Sequence, residues 1–242
     1  MNVSILAIVL LVTTVLEAVE GLISLRKYNA KVITQTQRIK IYKSTILWEW
    51  VQALICFLLF TLLFPIKEIG LMAPMVISGN IHYVFGILVY IISIGLFLLL
   101  TYQIFMFKFS TNYRVELAKV MEKKSGMQGV DIMIPTTRLE KKWFRFCALT
   151  AAICEEIIFR GLLFYIIKQY LPEANSYLVL VIGSVIFGIA HMYQGLSGMV
   201  RTALTGALIG ALFLVSGSLI YGVILHFVID ISANYLYEEK EC

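Results

Sequence analysis

Residues 83–107 read YVFGILVYIISIGLFLLLTYQIFMF, a run without a single charged side chain. A helix of about 20 apolar residues, rising about 1.5 Å per residue, crosses a hydrocarbon layer of about 30 Å. The whole chain of 242 residues is 60% hydrophobic and 14% charged, whereas a soluble domain carries about 25% charged residues. Short segments of alternating polarity, typical of a membrane β-barrel, do not occur. The sequence therefore predicts an all-α, polytopic membrane helix bundle.

Further apolar runs bring the number of expected transmembrane helices to about seven. Their expected ranges are 4–25, 45–66, 83–107, 144–167, 176–192, 196–215 and 219–237. The first three helices form an N-terminal region, 1–107, and a basic loop follows at 108–143. The last four helices lie within 144–242 and include the predicted span with the most polar residues. They are expected to form the catalytic core.

Basic residues are concentrated in alternate loops and predict the orientation. The loop between the first two spans holds six basic residues and no acid, and the loop at 108–143 holds eight basic residues against four acids. Because basic loops stay on the cytoplasmic side, we expect the N-terminus outside the cell membrane and the C-terminus, 238–242, in the cytoplasm. Within the larger loop, residues 114–124 have helical periodicity with basic residues on one side, which is typical of a helix lying on anionic headgroups.

Two function classes are excluded by where the charges and the cysteines lie. The net charge of +5 is carried by loops beside the apolar runs, where basic residues set topology, so it does not indicate nucleic-acid binding. The four cysteines show no CxxC spacing, which argues against a disulfide framework or a structural zinc site.

The fourth predicted span carries three charged residues deep within it, Glu155, Glu156 and Arg160, besides Arg145 at its start. Such residues are costly at membrane depth and normally face a bundle interior or a water cavity. Residues four apart share a helix face, so Glu156 and Arg160 are expected to pair. Glu155 points about 100° away from Glu156, since a helix has about 3.6 residues per turn. Glu155 therefore lacks a pairing arginine, and an unpaired carboxylate at this depth suits the role of a general base.

Two of the three histidines lie in the last predicted spans: His191 ends the fifth, and His226 lies inside the seventh, four residues before Asp230. Counting about 1.5 Å per residue from the span ends places these side chains, with Glu155, near the midplane or in the inner half of the bilayer. A four-helix bundle could therefore bring them together. The third histidine, His82, is expected at the outer boundary and has no assigned role.

Three motifs in this order carry a resemblance to a known family. They are Glu-Glu-x-x-x-Arg (Glu155, Glu156, Arg160), Phe-x-x-x-His (Phe187, His191) and His-x-x-x-Asp (His226, Asp230). Each lies on an apolar helix, and together they resemble the CPBP family of type II CAAX prenyl endopeptidases and bacteriocin-processing or self-immunity proteins, also called Abi-type intramembrane proteases. The resemblance covers about 144–237. The family often has asparagine in the last position, and an ionised Asp230 would only accept hydrogen bonds.

The resemblance implies a role for each residue. Glu155 and His191 would activate a water molecule, His226 with Asp230 would stabilise the tetrahedral oxyanion or keep the imidazole oriented, and Glu156 and Arg160 would support the site or bind substrate. Phe187 would only pack.

Metal dependence stays open at this point, because Glu155, His191 and His226 could also ligate zinc with a water as the fourth ligand. We favour the metal-free mechanism, which needs no cofactor.

The resemblance implies an intramembrane endopeptidase with a peptide or membrane-protein substrate, such as a prenylated protein tail or a pheromone or bacteriocin precursor. Two other functions fit an apolar bundle with buried acids. A non-enzymatic membrane immunity or scaffold protein would protect by binding alone. A transporter or proton relay would conduct ions, although the sequence lacks the inverted repeats with broken helices typical of transporters.

Overall fold

The structure is a computed structural model that describes residues 2–27, 33–64, 83–123 and 132–235. His82 and the C-terminal residues 238–242 lie outside these ranges. Within them the chain forms helices and no strand, which confirms the all-α prediction. The α-helices are α1 (Asn2–Lys27), α2 (Gln35–Leu63), α3 (Tyr83–Phe109), α4 (Thr111–Lys123), α5 (Arg138–Glu155), α6 (Phe164–Tyr170), α7 (Ser176–Ala190), α8 (Gly195–Ser216) and α9 (Leu219–Ser232).

A π-helical segment, Glu156–Leu163, joins α5 to α6 without a break. When α5, the π segment and α6 are counted as one continuous helix, the described residues contain eight helices. Each of the seven predicted spans overlaps one of these helices, although α2 begins at Gln35 and not at 45, and α9 ends at Ser232 and not at 237. Helix α4 accounts for the helical periodicity predicted at 114–124.

Four of the described helices are long and apolar enough to cross a membrane: Val3–Ser24, Gln35–Leu63, Tyr83–Phe109 and Met192–Ser216. Ser176–Ala190 and Leu219–Ser232 are apolar but shorter, below the length of about 20 residues that spans a bilayer. Large apolar side chains such as Leu62, Ile91 and Leu204 are more than half exposed on the outer faces of the long helices. Exposed apolar surface on this scale matches contact with lipid.

Capping interactions set where the fourth predicted span begins. The Thr137 side chain accepts a hydrogen bond from the Glu140 backbone N–H, and the Glu140 side chain accepts one from the Thr137 N–H. This reciprocal capping box satisfies N–H groups that a helix start leaves without partners. The helix therefore begins at Arg138, six residues before the predicted 144, and it continues to Tyr170.

The N-terminal helices pack directly on the rest of the chain. Helix α2 lies along α5, α5 and α3 contact α9, and α7 packs against α8. At the start of α5, the guanidinium of Arg38 binds the Glu140 carboxylate at 3.0 Å and the Ile132 carbonyl at 3.1 Å, with both charged side chains almost fully buried. The Tyr42 hydroxyl donates to the Met133 carbonyl at 2.8 Å. These contacts fix α2 against the segment that leads into α5.

Candidate active site

The two neighbouring glutamates lie where the α-helix changes into the π segment. Glu155 is the last residue of α5 and Glu156 the first of the π segment. Both are buried, with 5% and 0% of their surfaces exposed. Short π segments in helices occur frequently at functional sites, where they re-aim side chains.

Glu156 lies in a fully buried network. Its Oε1 atom is 2.9 Å from Nη1 of Arg160, which is the predicted ion pair. Arg160 also donates to the Gly206 carbonyl on α8 at 3.2 Å, and its guanidinium carbon lies 4.3 Å from the centroid of the Phe187 ring. The same Oε1 atom accepts a 2.8 Å hydrogen bond from Nδ1 of His226. Glu156 therefore holds Arg160 and His226 in place together.

Glu155 has a different environment. Its Oε2 atom lies 3.8 Å from Nε2 of His191 and 3.9 Å from Nε2 of His226. Neither distance is a direct hydrogen bond, and the buried Oε2 atom has no hydrogen-bond partner. A water molecule in the cavity beside these atoms could contact the carboxylate and the ring nitrogens together. The geometry leaves Glu155 free to act on such a water.

The hydrogen bonds of the two imidazoles indicate which nitrogen faces the site. Nδ1 of His191 lies 2.9 Å from the Phe187 carbonyl, which can only accept, so Nδ1 donates and Nε2 faces Glu155. Nδ1 of His226 donates to Glu156, and its Nε2 faces Glu155 and the Oδ2 atom of Asp230, which is 3.6 Å away. Both rings thus turn Nε2 toward the same carboxylate.

The predicted site residues meet around one cavity of about 390 Å³. Glu155, His191, His226 and Asp230 line it, whereas Glu156 and Arg160 lie behind this wall. The resemblance implied that Asp230 helps His226 to stabilise the oxyanion or keeps its ring oriented. The short hydrogen bond of that ring is the one that Nδ1 donates to Glu156 at 2.8 Å, whereas Oδ2 of Asp230 lies 3.6 Å from Nε2.

Sequence reasoning missed two acids that α1 and α2 bring to the same cavity, Glu17 and Glu49. Each of Glu17, Glu49 and Glu155 places one carboxylate oxygen within 4.8 Å of the other two. The available signal was that Glu17 and Glu49 stand inside apolar runs, where an acid is a functional candidate by default. No short motif links them to Glu155, so their meeting is a tertiary effect.

The geometry also bears on where a metal could bind. Ligand atoms around one zinc ion at about 2.0–2.1 Å lie at most about 4.2 Å apart. Among the described residues, no group of three metal-ligating side chains that lie within 4.8 Å of one another includes a histidine. Zinc held by Glu155, His191 and His226 would therefore require these side chains to move.

Comparison with known proteins links this site to a family. The family model described as "Type II CAAX prenyl endopeptidase Rce1-like" matches residues 141–232. No curated protein and no solved structure matches the chain. The matched segment contains Glu155, Glu156, Arg160 and both site histidines, whereas Glu17 and Glu49 lie outside it.

Proposed function

We propose that this chain, whose residues 141–232 form an Rce1-like type II CAAX prenyl endopeptidase domain, is an intramembrane endopeptidase. The observation that carries the proposal is the position of Glu155, which is buried, without a hydrogen bond at Oε2, and faced by Nε2 of His191 and of His226. An acid and two imidazoles that turn nitrogens toward it and line one cavity have the composition of a general acid–base site.

In the proposed reaction, Glu155 and His191 hold a water molecule between them. Glu155 accepts its proton as the water oxygen attacks the scissile carbonyl carbon, and that proton is later passed to the leaving amine. A positioned base of this kind contributes about 10²- to 10⁴-fold to the rate.

His226 is suited to stabilise the oxyanion that forms on the carbonyl oxygen. Its Nδ1 already donates to Glu156, so donation from Nε2 requires the imidazolium form, whose charge Glu156 and Asp230 offset. A single preorganised donor of this kind contributes about 3–4 kcal/mol to the stability of the transition state. Arg160 keeps Glu156 in place through the 2.9 Å ion pair.

Substrate would reach the site from the cytoplasmic side. A second cavity of about 300 Å³ lies between α1 and α2, and Lys27 and Lys40 line it. Glu17, Glu49 and Tyr193 border both cavities, which makes them neighbours. Because basic residues mark the cytoplasmic side, we place the opening there, with the N-terminus outside, about seven membrane crossings and the catalytic core within 144–242.

The substrate class is a peptide or a membrane-associated protein tail. A prenylated C-terminal tail and a pheromone or bacteriocin precursor would both be delivered at the membrane surface next to this opening. In either case the lipid bilayer holds the substrate near the site.

The decisive experiment compares cells that carry the intact chain with cells that carry Glu155→Gln. The substitution keeps the shape of the side chain but removes the base, so we expect cleavage to fall at least about 100-fold. Precursor peptides should accumulate in a mass-spectrometric inventory of membrane and medium. Glu116→Gln, at an exposed side chain on α4 paired with Lys119, is the control and should leave the inventory unchanged. An identical inventory for the intact and Glu155→Gln chains would refute proteolysis.

Removal of metal gives a second test. The purified chain, treated with a chelator and reconstituted with a substrate identified in the inventory, is expected to retain its cleavage rate within about twofold, since Glu155 supplies the base directly. Loss of cleavage that added zinc restores would favour a metal-dependent reaction instead.

A further inference from the structure

Helix α1 reaches the candidate active site through an aromatic residue, Tyr193. This residue lies in a one-turn 3-10 helix, Met192–Gln194, that begins directly after His191 at the end of α7. Its ring packs against the backbone of α1 at Gly21, where an added Cβ atom would lie 2.7 Å from Cγ and 2.8 Å from Cδ1 of the ring. Any side chain larger than hydrogen at Gly21 would therefore displace the ring.

The same ring contacts the imidazole of His191. The two ring centroids lie 5.8 Å apart, and the ring planes are inclined by 32°. The imidazole also contacts the Phe187 ring, at 4.7 Å between centroids. Its hydrogen bond to the Phe187 carbonyl fixes Nδ1 alone. The two aromatic neighbours therefore restrict the direction in which Nε2 of His191 points.

His191 depends on this packing because it lies where a helix ends. Its backbone angles, φ −97° and ψ 19°, have left the helical region. The regular winding that directs side chains inside a helix therefore no longer fixes the direction of this one. Gly195, at φ +76°, ends the turn after Tyr193 and lets α8 begin at once. Neighbouring side chains must hold the imidazole in place at this corner of the chain.

The ring of Tyr193 contributes more to this arrangement than its hydroxyl group does. Nε2 of Gln194 lies 3.4 Å from the hydroxyl oxygen, which is long for a hydrogen bond, whereas the ring is in direct contact with Gly21. Tyr193 also borders both the cavity that contains Glu155 and the cavity between α1 and α2. Its ring is thus a shared wall between the two cavities, next to His191.

We propose that Tyr193 is a positioning residue for His191, and that Gly21 of α1 sets where the Tyr193 ring stands. Helix α1 precedes the segment that matches the family model, so through this contact an N-terminal helix takes part in the geometry of the site. The inference deepens the proposed function and rests on it for what His191 does in the reaction.

The test measures how fast diethyl pyrocarbonate modifies each histidine of the purified full chain in detergent micelles, with the modified residues identified by mass spectrometry. Gly21→Ala keeps every side chain of the site but displaces the Tyr193 ring. We therefore expect the modification rate of His191 to rise at least about threefold, through local opening, while that of His226 stays within about twofold. Tyr193→Phe retains the ring and should match the intact chain, whereas Tyr193→Leu should resemble Gly21→Ala. Gly95→Ala is the matched control, because nothing lies within 4 Å of its Cβ position on α3, and it should leave both rates unchanged.

A rate measurement extends the test to catalysis, with the precursor peptide that accumulates in Glu155→Gln cells as substrate. Misplacement of a reacting group by about 1 Å can cost about 100-fold in rate. We expect kcat of Gly21→Ala to fall at least about tenfold, with KM within about threefold of the intact value, since the imidazole is displaced and the substrate contacts remain. Tyr193→Phe should keep kcat within about twofold of the intact chain, because it restores the ring that Tyr193→Leu lacks.

Three results would overturn the proposal. An unchanged modification rate of His191 in Gly21→Ala would show that the contact with α1 does not reach the imidazole. A parallel rise for His191 and His226 would show that the whole site loosens, as the loss of a purely structural contact would cause. A fall in kcat for Tyr193→Phe as large as for Gly21→Ala would make the hydroxyl a group that contacts substrate. If Gly21→Ala does not fold, the comparison of Tyr193→Leu with Tyr193→Phe decides. Because the modification assay uses no substrate, its failure and an absence of proteolysis are distinguishable.

Discussion

Helix α2 contacts α5 at two heights along the bundle. At one of them an acid is paired with a base, and at the other two acids face each other. Where α5 begins, Arg38 and Glu140 form a buried pair, and backbone N–H groups of Thr136 and Thr137 complete the bonding of the carboxylate. Eleven residues further along α2, or about 16 Å at about 1.5 Å per residue, Glu49 faces Glu155 with no such partner at Oε2. The first contact holds the helices together. The second costs stability, and a cost retained at membrane depth indicates function.

The same contrast separates the two neighbouring glutamates. The Oε2 atoms of both carboxylates have no hydrogen-bond partner, but Oε1 of Glu156 accepts from Arg160 and from His226. Hydrogen bonds to the charged form lower the proton affinity of a carboxylate, which makes it a weaker base. The difference therefore assigns a supporting part to Glu156 and the chemistry to Glu155.

The largest expected change in stability follows from Arg38→Met. It leaves the Glu140 carboxylate buried without its cation, which costs about 3–5 kcal/mol in the free energy of unfolding. Reversible unfolding in mixed detergent micelles, followed by circular dichroism, measures this change. Lys40→Met, at an exposed position on the same helix, should change the free energy by no more than about 0.5 kcal/mol. Equal effects of the two substitutions would contradict a structural pair at this level.

A smaller effect is expected from Gly206→Ala, which tests the bonded network beside Glu155. The added Cβ atom would lie 2.6 Å from Cδ1 of Phe187 and 3.3 Å from Nη2 of Arg160. Overpacking of this kind costs about 1–3 kcal/mol, and cleavage should also fall because the Phe187 carbonyl orients His191. Both the free energy of unfolding and the cleavage rate are to be measured.

Gly95→Ala is the matched control for that experiment, since nothing lies within 4 Å of its Cβ position on α3. Alanine is favoured over glycine in a helix by about 1 kcal/mol, so this variant should be as stable as the intact chain or more so. If Gly206→Ala behaved in the same way, the close approach of α8 to Arg160 would have no energetic consequence.

The smallest effect, and the one of opposite sign, is expected from Glu49→Gln. Because it replaces an acid that is crowded by Glu17 and Glu155, the free energy of unfolding should stay the same or rise by up to about 1 kcal/mol. Glu140→Gln is the comparison and should lower it, since an ion pair is lost. If Glu49→Gln destabilised the chain as much as Glu140→Gln, the contact of Glu49 with Glu17 and Glu155 would be a structural element like the Arg38–Glu140 pair.

Much of the fold follows from the sequence through local rules. Charge-free runs such as 83–107 predict helices, and the spacing of four predicts the Glu156–Arg160 pair, because both depend on neighbours within one helix. The earlier start of α5 was also accessible, since Thr137 and Glu140 have the spacing of a capping box. Depth counting anticipated that Glu155, His191 and His226 could meet.

The remaining features depend on contacts between distant helices. The hydrogen bond between His226 and Glu156 joins residues 70 positions apart. The carboxylates of Glu17, Glu49 and Glu155 come together from three helices that no motif connects. The π segment, Glu156–Leu163, was not predicted either, since its residues do not differ in type from those of an ordinary buried helix.

The π segment also limits where residues can be inserted into or deleted from the chain. A π-bulge amounts to one surplus residue in an otherwise regular helix. Deleting one residue from 161–163 would restore regular α-helical geometry. Every residue before the deletion, Glu155 included, would then be rotated by about 100° about the helix axis relative to α6. The helix would survive while Glu155 swung away from both imidazoles. Relatives that keep the paired glutamates should thus tolerate insertions in their loops but hold the residue count between Glu155 and Phe164 constant.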